Sequence, residues 1–292
     1  MTPKAARIVV DQTGTDGTQP MIETPSLDDL AARIPDGASV AIPPDYSGCA
    51  MAAVKALIRR RARDLHIIGV PAGGVQLDWL IGAGCVGRVE AAAVTLGENG
   101  LAPRFTAAIK AGAVEMRDAT CPAIHAGLQA AEKGIPFMPL RGILGSDLVK
   151  HRPDWKVIDN PLSAEPDPLL LIPAIKPDVA LFHAAAADRN GNVWIGVRRE
   201  MMLMAHAAKR TFVTVERIED ADFLRDDNRA SGTIPSLYVS AIAVAPGGAR
   251  PVGLGGEYPA DETALADYAK AARTDEGFAR WMGENILGAE LV

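Results

Sequence analysis

Apolar and polar positions in this chain follow two alternating rhythms. Short apolar runs at residues 39–42, 65–69, 89–96, 169–172, 179–182, 212–215 and 239–244 read as buried strands, because a strand covered on both faces has few positions left for polar side chains. Between them, residues 51–61, 75–82, 105–111, 123–133 and 201–209 carry apolar side chains at helical spacing. Residues 114–116 and 193–195 read as short strands, and 136–139 returns the chain toward the sheet. Ser26, with Asp29 three positions later, marks a helix start. Strands alternating with helices predict an α/β fold: an open, mainly parallel sheet with helices on both faces. Residues 1–25 offer turn formers and nothing to bury, so they read as an arm ahead of a single domain over 26–292. The Pro- and charge-rich segment 149–167 reads as an excursion over the surface. Two amphipathic helices, 262–273 and 276–287, close the chain as a packing or partner-facing appendage.

Composition supports that picture and removes several functions. Across 292 residues, 48% are hydrophobic but only 5% aromatic, which suits an aliphatic core between a parallel sheet and its helices. The net charge of −6 is spread among interspersed acids and bases, so there is no electrostatic footprint for nucleic acid or an anionic membrane. The basic cluster Arg59, Arg60, Arg61 and Arg63 ends a helix and complements its dipole. Cys49, Cys85 and Cys121 are odd in number and widely spaced. They suggest a reducing cytoplasm rather than a disulfide framework, and they lack metal-ligand spacing, as do the histidines. No apolar run is long enough to span a membrane.

Five constellations carry candidate chemistry. In Gly97-Glu98-Asn99-Gly100 a carboxylate and an amide lie between two glycines, where an apolar run turns toward a helix. Glu98 there is the candidate catalytic group, as nucleophile or general base, with Gly97, Asn99 and Gly100 offering amides to an oxyanion or to a ligand; an ordinary strand-to-helix turn explains the same residues. Ser47 and Gly48 follow the first strand and open a helix, a place for a phosphate or simply a cap. In the Gly-punctuated loop 140–147, Arg141 and Ser146 are candidate substrate contacts, with an Arg–Asp pair across the loop as the structural alternative. His183 ends a strand ahead of the turn at Asn190-Gly191, and Glu216 ends another; both read first as structural.

Taken in order, several of these segments resemble one family. Gly97-Glu98-Asn99-Gly100 continuing to Phe105, the loop Arg141–Asp147, His183 with Asp188–Asn192, Val213–Glu216 and Ala245–Ala249 are similar to the A (alpha) chain of family I CoA-transferases of the glutaconate CoA-transferase type. The resemblance runs from Ser26 to Ala249. It implies the CoA-transferase-like open α/β fold, coenzyme A as substrate with no permanently bound cofactor, and a homologous B (beta) chain in an α2β2 assembly. It also implies CoA transfer between an acyl-CoA and a carboxylic acid through a glutamyl-CoA thioester. In two-chain members the nucleophilic glutamate is on the B chain, also before Asn-Gly, so Glu98 would line the shared site. The loop 42–46 departs from the family's glycine-rich run: Pro43 and Pro44 remove backbone donors there. Relatives that hydrolyse a carbon–carbon bond of a ring-bearing CoA thioester offer a second expectation, with Glu98 as a base on water. A small-molecule effector domain is a third, but it would need a helix-turn-helix that the Gly-rich arm does not supply.

Overall fold

The computed structural model describes residues 23–288; most of the expected N-terminal arm lies outside them. In chain order the strands are β1 (Ser39–Ile42), β2 (Leu65–Gly69), β3 (Val86–Ala91), β4 (Glu115–Asp118), β5 (Phe137–Leu140), β6 (Lys156–Asp159), β7 (Pro168–Pro173), β8 (Val179–Asp188), β9 (Val193–Trp194), β10 (Arg210–Glu219), β11 (Thr233–Ile234) and β12 (Ala241–Val244). The helices are α1 (Leu27–Ala32), α2 (Met51–Arg59), α3 (Val75–Gly82), α4 (Pro103–Lys110), α5 (Cys121–Glu132), α6 (Leu148–His151), α7 (Arg199–Ala207), α8 (Glu262–Ala271) and α9 (Asp275–Met282). Ser26 caps α1 by accepting the Asp29 N–H, as its spacing predicts.

Among the described residues, seven parallel strands run in the order β12-β10-β8-β1-β2-β3-β4, and the short β9 and β11 add antiparallel pairs beyond the end of β8. Alternation along each strand sorts the side chains into two cores. Val40, Ile42, Leu65, Ile67, Val179, Leu181 and Phe212 face α1, α2 and α3. Ala41, Ile68, Ala180, Phe182, Val213 and Ile242 face α5 and α7. The mainly parallel sheet with helices on both faces is therefore present. The closing helices pack into the first core through Tyr268, Phe278 and Trp281, whose rings gather around Trp79. The Tyr268 hydroxyl donates to the buried Asp78 carboxylate at 2.6 Å.

Two departures from the sequence expectation bear on the site and its surroundings. The strand expected over 89–96 occupies Val86–Ala91 instead. Beyond Ala91 the chain pairs with the 71–73 segment, through Ala92 N–H to Pro71 and an isolated bridge from Gly73 to Val94, so the apolar run 92–96 becomes a wall beside the sheet. The segment 149–167 is more than an excursion: β6 within it pairs with β7, which pairs with β5, forming a small antiparallel sheet. An Arg152 side chain only 5% exposed ties this region to the main sheet through Glu90, 4% exposed, at 2.8 Å. Burial opposes the Glu90 charge, but His66, Arg152 and Arg117 outweigh it and hold the carboxyl below its usual range. These groups line a partly open pocket of about 180 Å³.

Candidate active-site cleft

Because the seven main strands are parallel, the loops leaving them gather at one edge of the sheet, where open α/β folds bind ligands. The loops after β1, β2 and β3 form one side of a 530 Å³ cleft, with Pro44, Asp45, Tyr46, Gly73, Gly74, Leu96, Glu98 and Asn99. Residues 252–255, Tyr258, Glu262 and Leu265 form the other. Glu98 sits in a single 3-10 turn, Gly97–Asn99, and its side chain is exposed at the cleft. Gly97 and Gly100 take the left-handed backbone expected of them, at φ 60° and 87°.

Three of the turn's backbone amides are bonded within the loop. Asn99 N–H donates to Leu96 and Gly100 N–H to Gly97, while Gly97 N–H reaches Thr95 Oγ1 at 3.3 Å. The Asn99 carboxamide, whose residue lines the cleft, is a donor the turn can present to an oxyanion. Ser47 and Gly48 do not line this cleft. The Ser47 hydroxyl is buried and donates to Glu200, and the Gly48 carbonyl accepts the His183 N–H at 2.7 Å. They brace the loop from behind. Arg141 and Ser146 are exposed on the connection after β5, outside the cleft lining. Arg141 forks onto Asp167 at 3.0 and 2.6 Å, an Arg–Asp pair reaching into the segment 149–167.

Two further features carry little or no functional signal in the sequence. Asp45 lies on the cleft wall and caps α3, accepting the Val75 N–H with both oxygens at 3.1 Å. Burial drives its carboxyl up to about 6 despite that hydrogen bond. Gly74 permits the approach, since a Cβ there would stand 2.2 Å from the Asp45 oxygens. The second feature is a network of His183, Glu216 and Tyr258. His183 Nε2 and the Tyr258 hydroxyl each meet Glu216 Oε1 at 2.7 Å, and Gly247 N–H donates to Oε2 at 2.7 Å. The other His183 nitrogen meets Thr214 Oγ1 at 2.7 Å. Burial holds His183 below its ordinary value against the pull of Glu216, so the ring is neutral at neutral pH. Burial also opposes the Glu216 charge, but Gly247, Tyr258 and His183 together keep that carboxyl ionised and below its usual range. Tyr258 carries this order to the cleft, where it is part of the lining. The sequence signal for the network lies in two strand ends carrying a His and a Glu, and only the β8–β10 register, His183 beside Thr214, brings them together.

A carboxylate lining a largely apolar cleft, over the carboxyl ends of parallel strands, stands where open α/β folds bind their ligands. The coenzyme A transferase family model matches residues 24–245, and the chain belongs to that family. It is 34% identical to the A subunit of 3-oxoadipate CoA-transferase from Pseudomonas knackmussii, over 92% of this chain and 95% of the relative. It is also 31% identical to the cholesterol ring-cleaving hydrolase IpdA subunit of Mycobacterium tuberculosis, covering 91% and 93%. Among solved structures it is similar to glutaconate coenzyme A-transferase from Acidaminococcus fermentans, with a TM-score of 0.82 and 29% identity over 90% of this chain and 88% of the other. The decarboxylase AibA/AibB gives a TM-score of 0.79 at 32% identity, over 89% and 98%.

Proposed function

We propose that this chain is the A subunit of a CoA-transferase that moves CoA between an acyl-CoA and a carboxylic acid, working with a homologous B-type chain in an α2β2 assembly. The observation that carries the reading is the placement of Glu98 and Asn99 at the mouth of the 530 Å³ cleft. In the cycle, a glutamate carboxylate attacks the thioester carbonyl and expels the CoA thiolate, giving a mixed anhydride. The thiolate then attacks the glutamyl carbonyl and releases the free acid, leaving a glutamyl-CoA thioester. An acceptor carboxylate runs both steps in reverse and leaves as the new acyl-CoA. A nucleophilic carboxylate works best when desolvated, and Glu98 is exposed in this chain. We therefore assign the nucleophile to the B-type chain. Glu98 lines the acyl-CoA pocket opposite it, and the Asn99 carboxamide, held by the Gly97 and Gly100 turn, meets the thioester oxygen.

The 31% identity to a ring-cleaving hydrolase subunit supports a second reading, in which Glu98 is the base that activates water for carbon–carbon cleavage. One experiment separates the two. The chain purified with its B-type partner is given acetyl-CoA and a series of free carboxylates, and new acyl-CoA is followed by mass spectrometry. CoA transfer to a free acid supports the first reading. Its absence with every acid, alongside consumption of a cyclic CoA thioester with ring opening, supports the second.

A further inference from the structure

We propose that the acyl group accepted by this cleft is uncharged and apolar to its end, so that the substrate is a neutral acyl-CoA rather than the CoA thioester of a dicarboxylic acid. The inference rests on the acyl-CoA reading of the cleft and adds the substrate class. Its basis is the charge of the lining. Asp45, Glu98 and Glu262 bring three carboxyl groups to the walls, and no Lys, Arg or His is among the described residues that line them. The rest of the surface is mainly aliphatic, with Val75, Leu96, Val252, Leu254 and Leu265. A second substrate carboxylate would enter beside like charges with no cation of this chain's described lining to receive it, and juxtaposing like charges in a partly desolvated site is strongly unfavourable. An apolar chain would replace water against the aliphatic wall. The volume is ample for a short acyl group with the end of the thiol arm.

Two arginines stand near the cleft without lining it. The Arg198 guanidinium stacks 5.3 Å from the centre of the Tyr46 ring, and that of Arg250 stacks 4.5 Å from the centre of the Tyr258 ring. Each guanidinium lies over the face of a tyrosine that lines the cleft rather than in the lining itself. The inference also separates this chain from the acids in the names of two relatives, 3-oxoadipate and glutaconate, each of which carries two carboxylates.

The test uses the chain assembled with its B-type partner and two unreactive thioethers, S-butyl-CoA and S-(3-carboxypropyl)-CoA, with CoA itself as reference, in titration calorimetry. The neutral thioether should bind about tenfold or more tighter than the carboxylated one, the discrimination expected of like-charge repulsion. Glu262→Gln should narrow that ratio, a selective change that general loosening of the cleft would not produce. Equal or tighter binding of the carboxylated thioether, with CoA bound normally, overturns the inference and leaves the CoA site standing. Failure of CoA and both thioethers to bind overturns the acyl-CoA reading and the inference together.

Discussion

Replacing Asp45 by asparagine should stabilise the protein at neutral pH, although the side chain caps α3. The carboxyl is raised from 3.8 to about 6 by burial, which corresponds to about 3 kcal/mol between its protonation states. The folded value lies above the unfolded one, so the folded state binds the proton more tightly. The favourable contribution is complete below about pH 4 and is lost as pH rises through about 6. At pH 7.5 the folded chain holds an ionised carboxylate where burial disfavours it. The asparagine would retain an oxygen to accept the Val75 N–H, bonded at 3.1 Å in the parent protein, and would bring no charge. The Asp45→Asn variant should gain about 1–2 kcal/mol at pH 7.5 once the weaker neutral cap is subtracted, and that gain should vanish by pH 4.5. Urea unfolding of parent and variant at several pH values measures the difference directly. A difference that does not change between pH 5 and 7.5, or a loss above about 1 kcal/mol at pH 7.5, would show that the buried Asp45 carboxylate does not cost stability. A carboxylate that costs stability in a cleft wall is what a site kept for function looks like.

Three other substitutions or measurements probe the rest of the frame. Arg152→Ala leaves Glu90 buried without its 2.8 Å partner and should cost about 3–5 kcal/mol in urea unfolding; a loss below about 1 kcal/mol would mean the pair does not tie the small sheet down. Gly48→Ala puts a side chain on a residue at φ 74° and a Cβ 2.1 Å from the His183 carbonyl. Its melting temperature should fall by about 5 °C or more, from at least 2 kcal/mol of strain and clash, and an unchanged midpoint would contradict that packing. The His183 imidazole, held below its ordinary value by burial, should show nitrogen shifts of the neutral ring at pH 7. Because its folded value is depressed, its contribution to stability is lost as pH falls from about 6.5 through that value. Titration at an ordinary midpoint near 6.5 would show the ring to be solvated.

Much of this architecture was legible because aliphatic runs and helical spacing are direct consequences of burial. β1, α3, and the capped start of α1 fall where the pattern puts them. β8 is longer than its pattern: the stretch Ala184–Ala187 carries little strand signal of its own, and burial between β10 and its neighbours makes it a strand. The run 92–96 misleads for the opposite reason. Its apolar residues are buried against the 71–73 segment and the cleft rather than in a ladder, and composition alone does not distinguish those destinations. Glu98 is marked by its two glycines, whose left-handed backbone is a local property readable from residue type. Asp45 and the His183–Glu216–Tyr258 network are not legible in that way. Their significance comes from burial and from partners as far as 42 residues apart, which only the assembled sheet supplies.

In the proposed cycle an acyl-CoA meets a glutamate of the two-chain assembly at the cleft beside Glu98. The most direct test of that cycle is to incubate the two-chain complex with acetyl-CoA and no acceptor, quench, digest, and map CoA adducts on both chains by mass spectrometry. A CoA thioester should form on a glutamate of the B-type chain and be discharged on adding a carboxylic acid, with its yield reduced by Glu98→Gln. Absence of any CoA adduct on either chain, while the complex still binds acetyl-CoA, would rule out the glutamyl-CoA cycle.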